Sequence, residues 1–238
     1  MGAATARRLS KEGAKVAVFD LNMEAAKQIA DEIHGIAVSC DVTQADKVEA
    51  AIAEAQKQHG PARICVNCAG IVHSRRMVNR EGPMPLDDFR KVMEVNVVGT
   101  FNIMRLVAAQ MIPLPPLDES GERGIIINTA SVAAYEGQIG QTAYGASKGA
   151  IVSLTLPAAR ELAPFGVRVM TIAPGLVDTP MFDKIPAEAR ASLAAMVPFP
   201  KRLAHPDEYA KLAIHLIENT MLNGEVIRLD GALRMQEK

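Results

Sequence analysis

The sequence predicts an α/β fold: a doubly wound parallel sheet between two helical layers, three αβα layers in all. Three observations predict it. Short apolar, β-rich runs alternate with stretches of helical periodicity along the chain. Those runs are apolar throughout rather than at every second residue, as in strands buried on both faces. Most connections are short, the pattern of βα units wound to either side of one sheet. At 238 residues, a single domain over 1–238 is expected, with a sizeable core.

In order, residues 3–12 read as an amphipathic helix, and KVAVF (15–19) reads as a strand closed by Asp20. Residues 24–33 are a helix, GIAVSC (35–40) a strand, 44–58 a helix and RICVN (63–67) a strand. A long helix spans 86–111, GIIINTA (124–130) is a strand, and 142–163 is helical despite Pro157. VRVMTIA (167–173) is a strand, 206–218 a helix and EVIRL (225–229) the last strand. Three irregular segments remain, 71–85, 113–123 and about 174–204, all long or proline-rich. Long loops on this architecture shape ligand sites.

Composition narrows the function classes. The net charge of −1 offers no basic field for nucleic acid. No apolar run of membrane-spanning length is expected, so neither nucleic acid nor membrane is an expected partner. Cys40, Cys65 and Cys68 are an odd set on strand-like segments, which predicts free thiols in a reducing compartment. Cys65 and Cys68 match C-x-x-C, but two buried cysteines at a strand end explain that spacing. No second Cys or His pair completes a metal site, and the five histidines are scattered structural or surface residues. The expected location is cytoplasmic, or the mitochondrial matrix if an N-terminal segment precedes Met1.

Candidate chemistry sits at strand ends. Asp20 closes the first visible strand, where a dinucleotide fold places an acid on the adenosine ribose and repels a 2′-phosphate. Its alternative role is a helix cap, shared with Asn22. Gly2 lies 18 residues earlier, in place for the last glycine of a pyrophosphate-binding turn. Tyr144 and Lys148 are four apart at the start of a helix and share one face. A phenol with a pKa near ~10 is too weak a base at neutral pH, and a neighbouring ammonium is expected to lower it. Ser131 follows a strand end and can hydrogen-bond an alcohol or carbonyl oxygen.

With Ser131, Tyr144-Gly-Ala-Ser-Lys148, Asn67-Cys-Ala-Gly70, Asn96 and Pro174-Gly175 in this order, the chain resembles the short-chain dehydrogenases/reductases over essentially its whole length. CDVT (40–43), INTASVAAYEGQIGQ (127–141) and LNGEVIRLDGALRMQ (222–236) narrow the similarity to the family's 3-hydroxyacyl-CoA dehydrogenases. The resemblance implies a Rossmann-like sheet and an NAD-dependent enzyme interconverting a secondary alcohol and a ketone, most narrowly 3-hydroxyacyl-CoA and 3-oxoacyl-CoA. A 3-oxoacyl carrier-protein reductase or a steroid or other alcohol dehydrogenase is the enzymatic alternative; a non-catalytic docking protein is disfavoured by the intact Ser131, Tyr144 and Lys148. It implies Tyr144 as general acid/base, Lys148 on the nicotinamide ribose and depressing the Tyr144 pKa, and Ser131 orienting the substrate. Asn96 would relay protons from a kinked helix. Asp41 and Val42 would meet the adenine; Asn67, Cys68, Ala69 and Gly70 would line the cofactor; Pro174, Gly175, Val177 and Thr179 would meet the nicotinamide end. Gln138 would touch substrate. It also implies a homotetramer built through 86–111, 142–163 and 225–229.

The family begins with a strand and TGxxxGxG, and here Met1-Gly2 aligns with the final x-G. The first strand and most of the Gly-rich turn are therefore expected to lie in roughly 20 residues upstream of Met1. That strand belongs mid-sheet, between 15–19 and 63–67, so without it a gap with unpaired backbone is expected there. The 238-residue chain alone is then expected to bind NAD poorly or fold badly.

Overall fold

A computed structural model describes residues 1–180 and 186–237. Its elements run α1 (Gly2–Lys11), β1 (Ala17–Asp20), α2 (Met23–Glu32), β2 (Ile36–Ser39), α3 (Ala45–His59) and β3 (Ile64–Asn67). A small hairpin, β4 (Val78–Asn79) and β5 (Gly82–Pro83), precedes α4 (Leu86–Met93) and α5 (Thr100–Met111). Then come β6 (Gly124–Thr129), α6 (Thr142–Leu162), β7 (Val167–Pro174), α7 (Ala187–Ala195), α8 (Pro206–Glu218) and β8 (Val226–Leu229). The parallel strands form two pieces among the described residues, β1 with β2 and β3-β6-β7-β8. β1 and β3 are not joined, at the place where the sequence predicts a gap.

Strict side alternation along β6 and β7 builds the two layers. Ile126, Val167 and Val169 face Val48, Ile52, Met104 and Met111 from α3 and α5. Ile125, Ile127, Met170 and Ile172 face Tyr209, Ala213 and Leu216 of α8. Every residue of both strands is buried, which is why their sequences are mostly apolar on both faces. Each buried isoleucine contributes about 1.5–3 kcal/mol. Arg168 is the exception on β7, and its guanidinium donates to the carbonyls of Leu216, Ile217 and Leu222 at 2.8–2.9 Å. It thus caps the C-terminal end of α8 while pairing with Glu122 at 2.8 Å. At the other end of α8, His205 and Glu208 form a capping box.

Four sequence expectations need correction. The 71–85 loop carries the β4–β5 hairpin, and the 174–204 segment carries α7; residues 181–185 of that segment lie outside the described set. The long helix is not uniform, because Glu94–Gly99 widen into a π-helical stretch between α4 and α5. Leu86–Met111 is also long and apolar enough to cross a membrane by composition, although half of its most apolar window is buried inside the fold. α6 runs unbroken through Pro157.

Candidate active site

The site lies at the C-terminal ends of β3, β6 and β7, where open parallel sheets bind ligands. β6 ends at Thr129, and Ser131 begins a turn of 3-10 helix whose Ala133 N–H donates to Ser131 Oγ at 3.2 Å. That bond uses the oxygen as acceptor and leaves the hydroxyl hydrogen to donate. Tyr144 and Lys148 lie in the first two turns of α6, with Nζ 5.8 Å from the Tyr144 ring centroid. Lys148 is 5% exposed, and its ammonium donates to the Thr129 carbonyl at 2.8 Å. Burial lowers its pKa to about 8. The expected depression of the Tyr144 pKa does not occur: burial raises it, and only the Ser131 hydroxyl works the other way. The ammonium is drawn to the Thr129 carbonyl, so desolvation of the phenolate outweighs its attraction.

Asn96 is fully buried in the π-helical stretch. Its amide nitrogen donates to Ile71 O at 2.9 Å and Ser147 Oγ at 3.0 Å, and its oxygen accepts from Ile71 N at 2.8 Å. Both amide hydrogens are spent, and the side chain pins the 70–71 turn against α6. The wide π turn points this amide inward, which fits the tendency of such turns to mark functional positions. The pin brings Gly70 beside the lysine: a Cβ there would stand 3.2 Å from Asn96 Oδ1 and 3.5 Å from Lys148 Nζ.

The other proposed cofactor contacts divide. Asp20 is exposed at the end of β1; its Oδ1 accepts from Asn22 N at 2.9 Å, and Oδ2 has no partner among the described residues. Asn22, not Asp20, caps α2. Gly2 starts α1 beside Cys68, where a Cβ would make an ordinary 3.4 Å contact, so packing alone does not demand glycine. Asp41 is spent on its own turn, accepting from Thr43 N and Oγ1 at 3.0 and 2.7 Å and from Gln44 Nε2 at 3.0 Å. Those bonds, led by Thr43, hold its pKa below the usual carboxylate range. Val42 packs over Gly99 in the core.

Asn67 donates to Asn128 Oδ1 at 2.9 Å, and its carbonyl accepts from Thr129 Oγ1 at 2.6 Å. Cys68 Sγ lies 3.7 Å from the Tyr209 hydroxyl, and burial pushes the Cys65 thiol up to about 12. Both cysteines are packing residues, and Ala69 leads into the pinned turn. After Pro174, Gly175 N donates to Leu229 O at 2.9 Å, and a Cβ on Gly175 would meet Asp230 Cβ at 2.9 Å. Val177 is buried and bridges to Ala204, which leaves Thr179 half-buried at the open end of that segment. Gln138 lines an open depression of about 370 Å³ with Arg76, Met77, Val78, Ile139, Gly140 and Thr142, two residues short of Tyr144.

A dinucleotide fits the polar groups present: an acceptor carboxylate oxygen at the β1 end, bare Gly70 backbone beside Lys148, and further ammonium hydrogens beyond the one given to Thr129. Three features escaped the sequence. The Thr129 carbonyl anchors Lys148, and its only signal is its place two residues before Ser131. The buried Asn128, whose Nδ2 has no partner, is visible only as the register partner of Asn67. Tyr209 completes a network through Thr129 Oγ1 at 2.7 Å, from 80 residues away.

Comparison with known proteins agrees with this geometry. The family model described as short chain dehydrogenase matches residues 1–190. The chain is 50% identical to 3-hydroxyacyl-CoA dehydrogenase type-2 of Homo sapiens, covering 99% of this chain and 92% of that protein. A crystal structure of 3-hydroxyacyl-CoA dehydrogenase type-2 from Mycobacterium avium superposes with a TM-score of 0.95 at 46% identity, over 100% of this chain and 93% of the other. A 3-ketoacyl-(acyl-carrier-protein) reductase from Brucella melitensis, complexed with NADH, gives 0.86 at 31% identity over 98% and 93%. On this match of sequence, fold and site, the chain belongs to the short-chain dehydrogenase family of oxidoreductases.

Proposed function

We propose that this protein oxidises 3-hydroxyacyl-CoA to 3-oxoacyl-CoA with NAD. The observation that carries the proposal is the convergence of Ser131, Tyr144 and Lys148 at the β6 end, in a chain half-identical to relatives bearing that activity's name. The nicotinamide supplies the hydride acceptor when bound. Ser131, its oxygen already accepting from Ala133, donates its hydrogen to the substrate hydroxyl oxygen and fixes its position. Tyr144, in its phenolate form, accepts the hydroxyl proton as the C–H bond breaks, and as the phenol returns it in the reverse direction. Lys148 gives one N–H to Thr129 and keeps the others for the ribose and for the negative charge that Tyr144 carries before it takes the proton. Asn96 and Gly70 hold the backbone that admits the cofactor beside it.

NAD over NADP rests on Asp20. Its unpartnered oxygen suits a ribose diol, while a 2′-phosphate would meet its charge. The expected kcat/KM ratio favours NAD by at least about tenfold, or ~1.4 kcal/mol. Asp20→Ala should bring the ratio to within a few-fold, and a wild-type preference for NADP would refute this assignment.

Two exposed arginines support a phosphorylated thioester carrier. Arg76 and Arg80 have no hydrogen bond or ion pair among the described residues. They line an open depression of about 710 Å³ with Val78, Asn79 and Glu81, and it shares Arg76 and Val78 with the Gln138 depression. The test is NADH formation by wild type and by an Arg76→Ala/Arg80→Ala variant. KM for a 3-hydroxyacyl-CoA is expected to rise roughly tenfold in the variant, an effect weakened by added salt. KM for the N-acetylcysteamine thioester, which lacks the phosphates, should stay within twofold. Equal losses on both thioesters would contradict carrier recognition. A homotetramer is part of the proposal, supported by Val98, Phe101 and Leu156, which the long helices leave exposed.

A further inference from the structure

The loop between Ser131 and Tyr144 is tied down from outside by the end of the chain. Glu136 is the centre of that tie. Its carboxylate accepts from Arg228 at 2.7 and 3.0 Å, from the backbone N–H of Met235 at 3.2 Å, and lies 3.4 Å from Arg234 Nε. Two further bonds lie beside it: Ile139 N donates to Glu237 O at 2.9 Å, and Gln138 Nε2 donates to Gln236 O at 3.3 Å. Asp230 steadies Arg228 at 2.6 Å and Arg234 at 3.3 Å, so the tail leaves β8 already aimed. Gln138 and Ile139 are two of the residues that line the open depression, which reaches Thr142 in the same turn of α6 as Tyr144. On its far side Gly140 O accepts from Arg75 N at 2.9 Å, which joins this wall to the facing segment. The loop therefore has little freedom of its own; its shape is set by the tail on one side and by residues 75–76 on the other.

We propose that residues 234–237 form a strap that positions the substrate-binding wall, with Glu136 as the positioning residue that receives it. The strap touches neither the phenol nor the ammonium, so it acts on substrate affinity rather than on proton transfer. It deepens the proposed function by assigning part of the substrate recognition to the C-terminal tail, and rests on that reading for the identity of the substrate.

The test compares wild type, the chain ending at Arg234, and Glu136→Gln. The truncated chain should show a KM for the hydroxy substrate raised about tenfold or more, with kcat and the NAD dissociation constant within about threefold. Glu136→Gln, which keeps the shape but weakens the ion pairs, should fall between the two. Hydrogen exchange reads the strap without any substrate: the Ile139 amide should lose protection on truncation, while amides of β6 keep theirs. If no 3-hydroxyacyl-CoA is turned over, the substrate assignment fails, and the exchange result together with KM for whichever secondary alcohol is oxidised still decides the strap. Unchanged KM in the truncated chain, or an Ile139 amide equally protected with and without the tail, would overturn it.

Discussion

Tyr144→Phe is expected to lower kcat for alcohol oxidation by about 10³-fold, roughly 4 kcal/mol of barrier, while NAD binding stays within a few-fold. The phenol hydrogen-bonds Ser131 at this strand end, where its oxygen can take the substrate proton. The ring fills the same space with or without its hydroxyl, so folding stability should change by no more than about 1 kcal/mol. Burial raises the Tyr144 pKa in the protein alone, so the wild-type enzyme should be a better oxidant as pH rises above neutral. The phenylalanine variant should lose that dependence along with its rate. A variant with kcat within tenfold of wild type would remove Tyr144 from the proton path.

Lys148→Met should abolish turnover and stabilise the fold at the same time. The ammonium is buried, and its pKa falls from 10.5 to about 8. Below pH 8 both folded and unfolded chains hold the proton, and the full burial penalty acts against folding. Between about 8 and 10.5 the folded chain releases the proton while the unfolded chain keeps it, so wild-type stability gains as pH rises through that window. The methionine variant has no charge to bury and loses one hydrogen bond, to Thr129 O. The net expectation is about 2 kcal/mol of added stability at pH 7, roughly 5 °C in Tm. The advantage should shrink to nothing by about pH 10.5. A variant less stable than wild type at pH 7 would show that the Thr129 bond outweighs the burial penalty. Holding a charged lysine in a dry site at a cost in stability is what a functional role would require.

What the sequence revealed and what it hid follow from the range of the interactions. β6 and β7 were legible because burial on both faces makes most of their six and eight residues apolar, without alternation. Tyr144 and Lys148 were legible because helix geometry alone puts i and i+4 on one face. The β4–β5 hairpin was not, since two residues per strand carry no alternation. α7 hid among prolines, one of which, Pro186, stands at its start. The raised Tyr144 pKa could not be read from spacing, because it depends on how far the fold buries the phenol. That Asp41 also holds its own turn, through Thr43 and Gln44, shows only in the structure. The Glu136 strap joins positions about a hundred residues apart, with ordinary residue types at each end. Nothing local marks it.

The most direct test is a substrate panel at fixed, saturating NAD with the purified protein. It would contain 3-hydroxyacyl-CoA, the matching carrier-protein thioester and a steroid alcohol. The predicted result is NADH formation with kcat/KM highest for 3-hydroxyacyl-CoA, lost in Tyr144→Phe. Higher kcat/KM for the steroid alcohol or the carrier-protein thioester, or no NADH from the CoA thioester by folded protein that binds NAD, would contradict it.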